Sequence, residues 1–335
     1  MTSIKIGVKM KIFIYGEYTD WQKKFLKENL DESIKIQWGT TLPENPDYQI
    51  LIWGRPEEEF VSQAPDLKYL IVPYAGISAQ TTEIVRKYPH LKLHNLHHNA
   101  LPTAEMAFTL LLTAAKSIIP AHNKLQKGDW TPRYEGLANR LIAGRNVLIM
   151  GYGSVGRHLA GMCLGMKTNI SATRHSCRKI YQENGVEIHP ASELEMLLLK
   201  TDILLVTLPL TTHTENILDR EKLELLPESA MLVNIGRGKL IEEQALYDLL
   251  KSGKIAAAGL DVWYNYPHSL ADRQHTYPGN LPFHELENVV LSPHRGGAFA
   301  NYDTELLRVQ HLADMLNEYY KSGTMPNKVD INRGY

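Results

Sequence analysis

The sequence predicts an α/β protein of two parallel-sheet domains, and three observations carry this. Short β-rich runs alternate with longer helical patterns along the chain, as parallel sheets flanked by helices require. The chain has 335 residues, enough for two domains of ordinary size that each bury their own core. Two strongly helical stretches, 103–118 and 303–321, separate the halves, and the second leads the chain back toward its first half.

In order, the strand candidates of the first half are 11–15, 35–38, 49–53, 69–72 and 91–95, with helices over 21–29 and 81–87. Helix 103–118 starts after Pro102, with Thr103 as its N-cap and Glu105 in its first turn. A second series of strands runs 146–150, 168–172, 203–207, 231–235, 257–262 and 289–291, with a helix over 158–166. The two helical crossings therefore put 1–101 and 300–335 in one domain, and 102–299 in a second domain inserted into the first. Residues 264–287 hold three prolines and three histidines without clear periodicity. A loop this long is unusual in a compact domain and is often functional.

Formal net charge is −1, which gives no pull toward nucleic acid or a membrane surface. No apolar stretch approaches the ~20 residues of a membrane span. The first eleven residues alternate apolar and basic side chains, without the continuous apolar core of a signal peptide. Two cysteines, Cys163 and Cys177, make neither a disulfide framework nor a metal site. A cytoplasmic protein without metal, nucleic-acid or membrane partner is expected.

The run Gly151-Tyr152-Gly153-Ser154-Val155-Gly156 follows an apolar strand and opens a helix. That context lets glycines make a tight turn, admit a pyrophosphate to the backbone and pack helix on strand. The phosphates then meet the unpaired N–H groups of the helix N-terminus. Eighteen residues after Gly156, where NAD-binding domains usually carry Asp or Glu, stands Arg174, with Thr173, His175, Arg178 and Lys179 around it. A guanidinium there binds a 2′-phosphate that a carboxylate would repel, so NADP(H) is preferred and NAD(H) is the alternative. A solvated basic loop is the competing account of the same residues.

Further motifs follow in order: Leu141 to Arg145; Leu208-Pro209-Leu210-Thr211; Asn234-Ile235-Gly236-Arg237-Gly238; Gly259-Leu260-Asp261-Val262; and Ser292-Pro293-His294-Arg295-Gly296-Gly297. Tyr74-Ala75-Gly76-Ile77 stands in the first half. With these the chain resembles the D-isomer-specific 2-hydroxyacid dehydrogenase family. The resemblance implies two Rossmann-like domains, the nucleotide-binding one inserted into a flavodoxin-like substrate domain. It also implies a homodimer paired through the nucleotide domain, with the helix over 103–118 as a contributor or, equally, as ordinary core. The implied reaction moves a hydride between the cofactor and a small 2-oxo or 2-hydroxy acid of the glyoxylate or hydroxypyruvate kind.

The resemblance assigns roles that the residue chemistry supports. Arg237 binds the substrate carboxylate with its planar fork, and backbone N–H groups at Tyr74, Ala75, Gly76 and Ile77 hold its other side. His294 exchanges the proton. Ser154, Val155, Leu208, Pro209, Ile235, Gly236, Asp261 and Gly297 line the cofactor groove. One departure stands out. The family places a glutamate five residues after the aspartate of the third signature, and this chain has Tyr266 there. Three outcomes are open: a replacement carboxylate (Glu285, Glu287 or Asp272), an unassisted histidine, or lost chemistry, as in a dinucleotide-sensing interaction protein. Arg55, in Trp53-Gly54-Arg55-Pro56, and Arg295 are candidates for a second anionic group of the substrate, or are simply surface arginines. The long loop 264–287 precedes the strand leading to His294 and is expected near it.

Overall fold

A computed structural model describes residues 10–297 and 301–331. The segment used to argue against a signal peptide lies almost wholly outside them, as does the start of the expected boundary at 300. The chain divides into two compact units, one holding residues up to Asn99 and from Ala298 on, the other Ala100–Gly297.

The first unit begins with β1 (Met10–Tyr15), α1 (Asp20–Asn29), β2 (Ile34–Gly39), β3 (Ile50–Ile52), α2 (Glu59–Ser62), β4 (Tyr69–Val72), α3 (Ala79–Lys87) and β5 (Lys92–Asn95). Its parallel sheet has the order β2-β1-β3-β4-β5. Alternation explains its two-sided core. Ile12, Ile14, Ile50, Ile52 and Ile71 enter one cluster, while Phe13, Leu51, Leu70 and Val72 enter the other.

The second unit continues with α4 (Ala100–Ala115), α5 (Ile118–Leu125), β6 (Asn146–Met150), α6 (Ser154–Gly165), β7 (Asn169–Arg174), β8 (Tyr181–Glu183), β9 (Val186–Pro190), α7 (Leu194–Leu198), β10 (Ile203–Val206), α8 (Arg220–Glu224), β11 (Ala230–Asn234), α9 (Glu243–Lys251), β12 (Ile255–Leu260) and β13 (Val289–Leu291). Its sheet is ordered β13-β12-β11-β10-β6-β7-β9-β8, parallel except for the antiparallel β8–β9 pair at one edge. The chain then returns to the first unit in α10 (Tyr302–Ser322), whose Val309, Leu312, Ala313 and Leu316 complete the core beside Ile12 and Ile50. Burying a leucine contributes about 1.5–3 kcal/mol. The exposed ion pair Lys24–Glu28 belongs to a class that contributes about 0–1 kcal/mol, so burial positions these helices.

The structure corrects one helix and adds one hairpin. The helix placed at 103–118 starts at Ala100 and stops at Ala115, so Thr103 is not its N-cap. Pro102 is tolerated in the first turn, where its missing N–H has no intrahelical acceptor. Ser117 then turns left-handed (φ 48°), its Oγ donating to Ala138 O at 2.9 Å, and α5 leaves at 61° to α4. The hairpin β8–β9 escaped detection because exposed Tyr-Gln-Glu carries no apolar period and the Gly185 turn is short. One face of α4 is core: Ala104, Ala107, Leu110, Leu111, Ala114 and Ala115 are buried. Among the described residues no single helix is long and apolar enough to cross a membrane.

Candidate active site of the second unit

Because β6, β7, β10, β11, β12 and β13 are parallel, their carboxyl ends share one edge of the sheet. The segments that follow those ends carry most of the residues singled out in the sequence. Open α/β sheets bind ligands at that edge.

The glycine loop joins β6 to α6. Gly151 holds φ +103°, and its N–H and that of Tyr152 both donate to Thr173 O, at 3.2 and 3.0 Å. Thr207, at the end of β10, donates its hydroxyl to Gly151 O at 2.7 Å and ties the loop down from the other side. Gly156 packs so closely that a Cβ there would strike Gly151 O. Gly153 is different: a Cβ there would meet nothing within 4 Å, and no side chain caps the helix it begins. An open approach and uncapped N–H groups at a helix N-terminus suit a pyrophosphate. The residues present fit a dinucleotide.

Thr173 and Arg174 close β7 beside that loop, and His175 follows in the turn. Arg174 is not a freely solvated cation: its Nη1 donates to Tyr181 Oη at 3.3 Å and lies 3.9 Å from Glu183. His175 and Arg178 are exposed.

Arg237 stands at the turn after β11, between two glycines that admit no side chain. A Cβ on Gly236 would come within 2.5 Å of Leu208 O, and one on Gly238 would strike the backbone of Trp263. Asn234, buried at the strand end, accepts from Gly236 N at 3.0 Å and donates to Arg237 O at 2.9 Å. The guanidinium gives one N–H to Gly236 O at 2.7 Å and is otherwise exposed. Since the Gly238 obstacle is backbone, Gly238→Ala is expected to cost about 1–3 kcal/mol by overpacking. Gly161→Ala, in open space on α6, is expected to gain about 0.5–1 kcal/mol. Thermal melts of both variants check this.

His294 follows β13 in the left-handed region, φ +53°, uncommon for a side chain of its size. The turn is held by Asp261, buried at the end of β12, whose carboxylate accepts from Ser292 Oγ, from Arg295 N at 2.9 Å and from Gly296 N at 2.8 Å. Asp261, expected in the cofactor groove, thus spends its hydrogen bonds on the histidine turn. Gly297 ends this turn, partly buried.

Tyr266 reaches the histidine from the long loop. Its hydroxyl lies 2.9 Å from His294 Nδ1 and accepts from Trp263 N at 3.1 Å. Trp263 in turn donates its indole N–H to Ser292 O at 2.8 Å. The loop is anchored by fully buried Phe283 and by Glu243, which accepts from Asn280. No replacement carboxylate hydrogen-bonds the imidazole: Asp272, Glu285 and Glu287 make no such contact among the described residues. Burial, then the Arg237 cation, push the His294 pKa below its ordinary value, against a smaller upward pull from Asp261. Burial raises that of Tyr266, so the phenol is neutral near pH 7.

In the first unit, Tyr74, Ala75, Gly76 and Ile77 follow β4 and Arg55 follows β3. Asn95 donates to Ala75 O at 2.7 Å. The Tyr74 phenol lies over Gly54, where it would collide with any Cβ, and meets the exposed Arg55 guanidinium. Arg295 exposes its side chain. Asn234, Thr207, Trp263 and Ser292, to which the sequence reading gave no role, hold the others. Asn234 carried a signal in its place at the head of the Ile-Gly-Arg-Gly run.

Residues 108–296 match the family described as D-isomer specific 2-hydroxyacid dehydrogenase, NAD binding domain. The chain belongs to the D-isomer specific 2-hydroxyacid dehydrogenase family. A glyoxylate reductase of Aeropyrum pernix is 30% identical over 287 residues, covering 84% of this chain and 81% of that protein. A glyoxylate reductase of Korarchaeum cryptofilum is 33% identical over 231 residues, 68% of this chain and 65% of that one. The Thermococcus onnurineus glyoxylate reductase is matched over 57% of its length. Among solved structures, a family member from Xanthobacter autotrophicus Py2 in complex with NADPH and MES superposes with a TM-score of 0.77 at 22% identity, over 98% of this chain and all of that one. An acyclic imino acid reductase in complex with NADPH and D-Arg superposes at 0.72 and 24% identity, over 96% of this chain and all of that one. The fold of the family is therefore shared by enzymes of different reactions.

Proposed function

We propose that this chain is an NAD(P)-dependent reductase of small 2-oxo acids, glyoxylate or hydroxypyruvate being the default class, with NADP(H) preferred over NAD(H). The observation that carries it is the triad of Tyr266, His294 and Arg237. It joins a histidine held at Nδ1 to a cationic fork, on the sheet edge that also bears the glycine loop. Glyoxylate and hydroxypyruvate reductases among the relatives support the reaction class. Arg174 supports the preference for the 2′-phosphate.

A dinucleotide held on the glycine loop would supply the hydride for carbon 2 of the substrate, or accept it in the reverse direction. The chain's own residues do the rest. Arg237 binds the carboxylate and polarises the ketone with the N–H groups not given to Gly236. His294 holds a proton at Nε2 and delivers it to the substrate oxygen during reduction, or takes it back during oxidation. In the imidazolium, Nδ1–H donates to Tyr266 Oη, which keeps Nε2 for the substrate. A phenol can accept this bond but adds no negative charge, unlike a carboxylate. Ala75, Gly76 and Ile77 would contribute N–H groups to the carboxylate. Arg55, or Arg295, would meet a second anionic group.

The pH dependence tests this. The acid needed for reduction is the imidazolium, and the His294 pKa lies below ~6.5. Reduction is therefore expected to be fastest on the acid side and to fall about tenfold per pH unit above that pKa, while oxidation rises and levels off. Initial rates of NADPH and NADH oxidation with glyoxylate, hydroxypyruvate and phosphonopyruvate between pH 5 and 9 give the profile. A flat profile for a turning-over enzyme removes His294 as the acid. Cofactor binding without turnover at any pH favours a dinucleotide sensor, the alternative that Tyr266 keeps open.

Pairing as a homodimer through the second unit is part of the proposal, with α5 beside α4 as a candidate contributor. Ile118, Ile119 and Leu125 on α5, with Trp130 and Leu141 beyond it, are exposed apolar side chains. A cytoplasmic setting is likewise proposed, supported by two buried cysteines that remain free thiols.

A further inference from the structure

We infer that Glu183, on the hairpin that the sequence concealed, sets how well the second unit distinguishes a phosphorylated from an unphosphorylated adenosine ribose, by competing with the 2′-phosphate for Arg174 and Arg157. This rests on the dinucleotide-binding reading above and concerns the affinity of one part of that site.

The geometry begins at the glycine loop. The Arg157 guanidinium, one turn into α6, lies 5.2 Å from the centre of the Tyr152 ring, and Tyr152 sits between Gly151 and Gly153. Arg157 Nε is 2.9 Å from Glu183 Oε1. The other carboxylate oxygen lies 3.9 Å from Arg174 Nη1, and Tyr181 Oη bridges the two at 3.3 and 3.4 Å. Arg174 ends β7 directly after Thr173, whose carbonyl holds the glycine loop. The two arginines nearest the loop thus share one carboxylate, and hydrogen bonding to Arg157 holds that carboxyl in its ionised form.

The consequence is a matter of charge. A 2′-phosphate arriving at Arg174 carries close to two negative charges and must displace Glu183 or lie beside it. An unphosphorylated ribose pays no such repulsion. At a separation of roughly 7 Å in a water-like dielectric, removing the carboxylate charge should raise phosphate affinity about five- to tenfold at low ionic strength. The gain should shrink as salt rises from about 0.01 to about 0.1 M, because these side chains are partly exposed. The missing acidic residue at the end of β7 is therefore supplied in part from a different strand, and the basic run alone overstates the preference for NADP(H).

The experiment is calorimetric titration of the full chain with 2′,5′-ADP and with 5′-ADP, needing no turnover. Glu183→Gln is expected to raise the affinity for 2′,5′-ADP relative to 5′-ADP by about five- to tenfold, with the salt dependence described. Arg174→Ala is expected to lower that ratio and, combined with Glu183→Gln, to abolish most of the gain. A ratio in Glu183→Gln that stays within twofold of the parent, or falls, overturns the inference and makes Glu183 a support for Arg174 instead. Glu183→Asp, which keeps the charge and the hairpin, should give a ratio near the parent's. If Glu183→Gln melts early, a raised ratio in Glu183→Asp equal to that in Glu183→Gln also overturns it. If the parent binds 5′-ADP and Glu183→Gln leaves the ratio unchanged, the inference falls and the proposed function stands. A parent that binds neither nucleotide overturns both.

Discussion

Replacing His294 by asparagine is expected to lower kcat/KM for 2-oxo acid reduction by about 10²–10⁴-fold, the range that a positioned general acid supplies. Asparagine is the right probe because residue 294 sits at φ +53°, which asparagine tolerates better than other side chains. The turn and its bonds to Asp261 should survive, since those use the backbone of Arg295 and Gly296. Cofactor affinity, measured by quenching of protein fluorescence, should change less than threefold, because the loss lies in proton transfer. The falling limb of the pH profile should vanish with the imidazole. Retention of more than a tenth of the activity would mean that the proton comes from elsewhere.

The second large effect is expected from Arg237→Lys. Lysine keeps the charge but not the planar fork, so a bidentate carboxylate contact is lost. Charge-assisted hydrogen bonds contribute about 1.5–3 kcal/mol each, which corresponds to about 10–10²-fold per bond. Losing the pair should therefore reduce kcat/KM by about 10²–10⁴-fold. Because the cation remains, the His294 limb should stay where it is. Arg237→Gln removes the cation, and the sign then follows from its influence: Arg237 depresses the His294 pKa, so its removal moves the limb to higher pH. A Lys variant that keeps both the limb and kcat/KM would place Arg237 in electrostatics alone.

The departure at Tyr266 makes these profiles informative. A carboxylate partner would raise the histidine pKa and can only accept a hydrogen bond. The phenol is pinned by Trp263 N–H and can accept from or donate to Nδ1. The imidazole is thus oriented without being made more basic, and reduction gains from acid conditions.

Local pattern was enough for much of the protein. The continuous apolar runs at β1, β4, β6 and β10 mark strands covered on both faces, because only such strands can dispense with a polar side. The glycine loop was legible because Gly151 and Gly156 answer local backbone demands and Gly153 leaves the approach open. Arg237 and His294 stood out only through the ordered set of motifs, since neither residue type is diagnostic alone. Element ends were less visible: Pro102 looked like a stop before a helix, yet a first helical turn accepts it.

What the sequence determined by itself was therefore the α/β class, most of its strands and the residue types carried at their ends. Side-chain period and backbone chemistry act over a few neighbours and can be read there. Only the tertiary structure decided which groups meet across the chain: Tyr266 on His294 over 28 positions, Asp261 on the turn 31 to 35 residues away, and Glu183 on Arg157 at 26. Those meetings depend on sheet order and on where a loop is anchored, and they set the charge and geometry in which the predicted residues work.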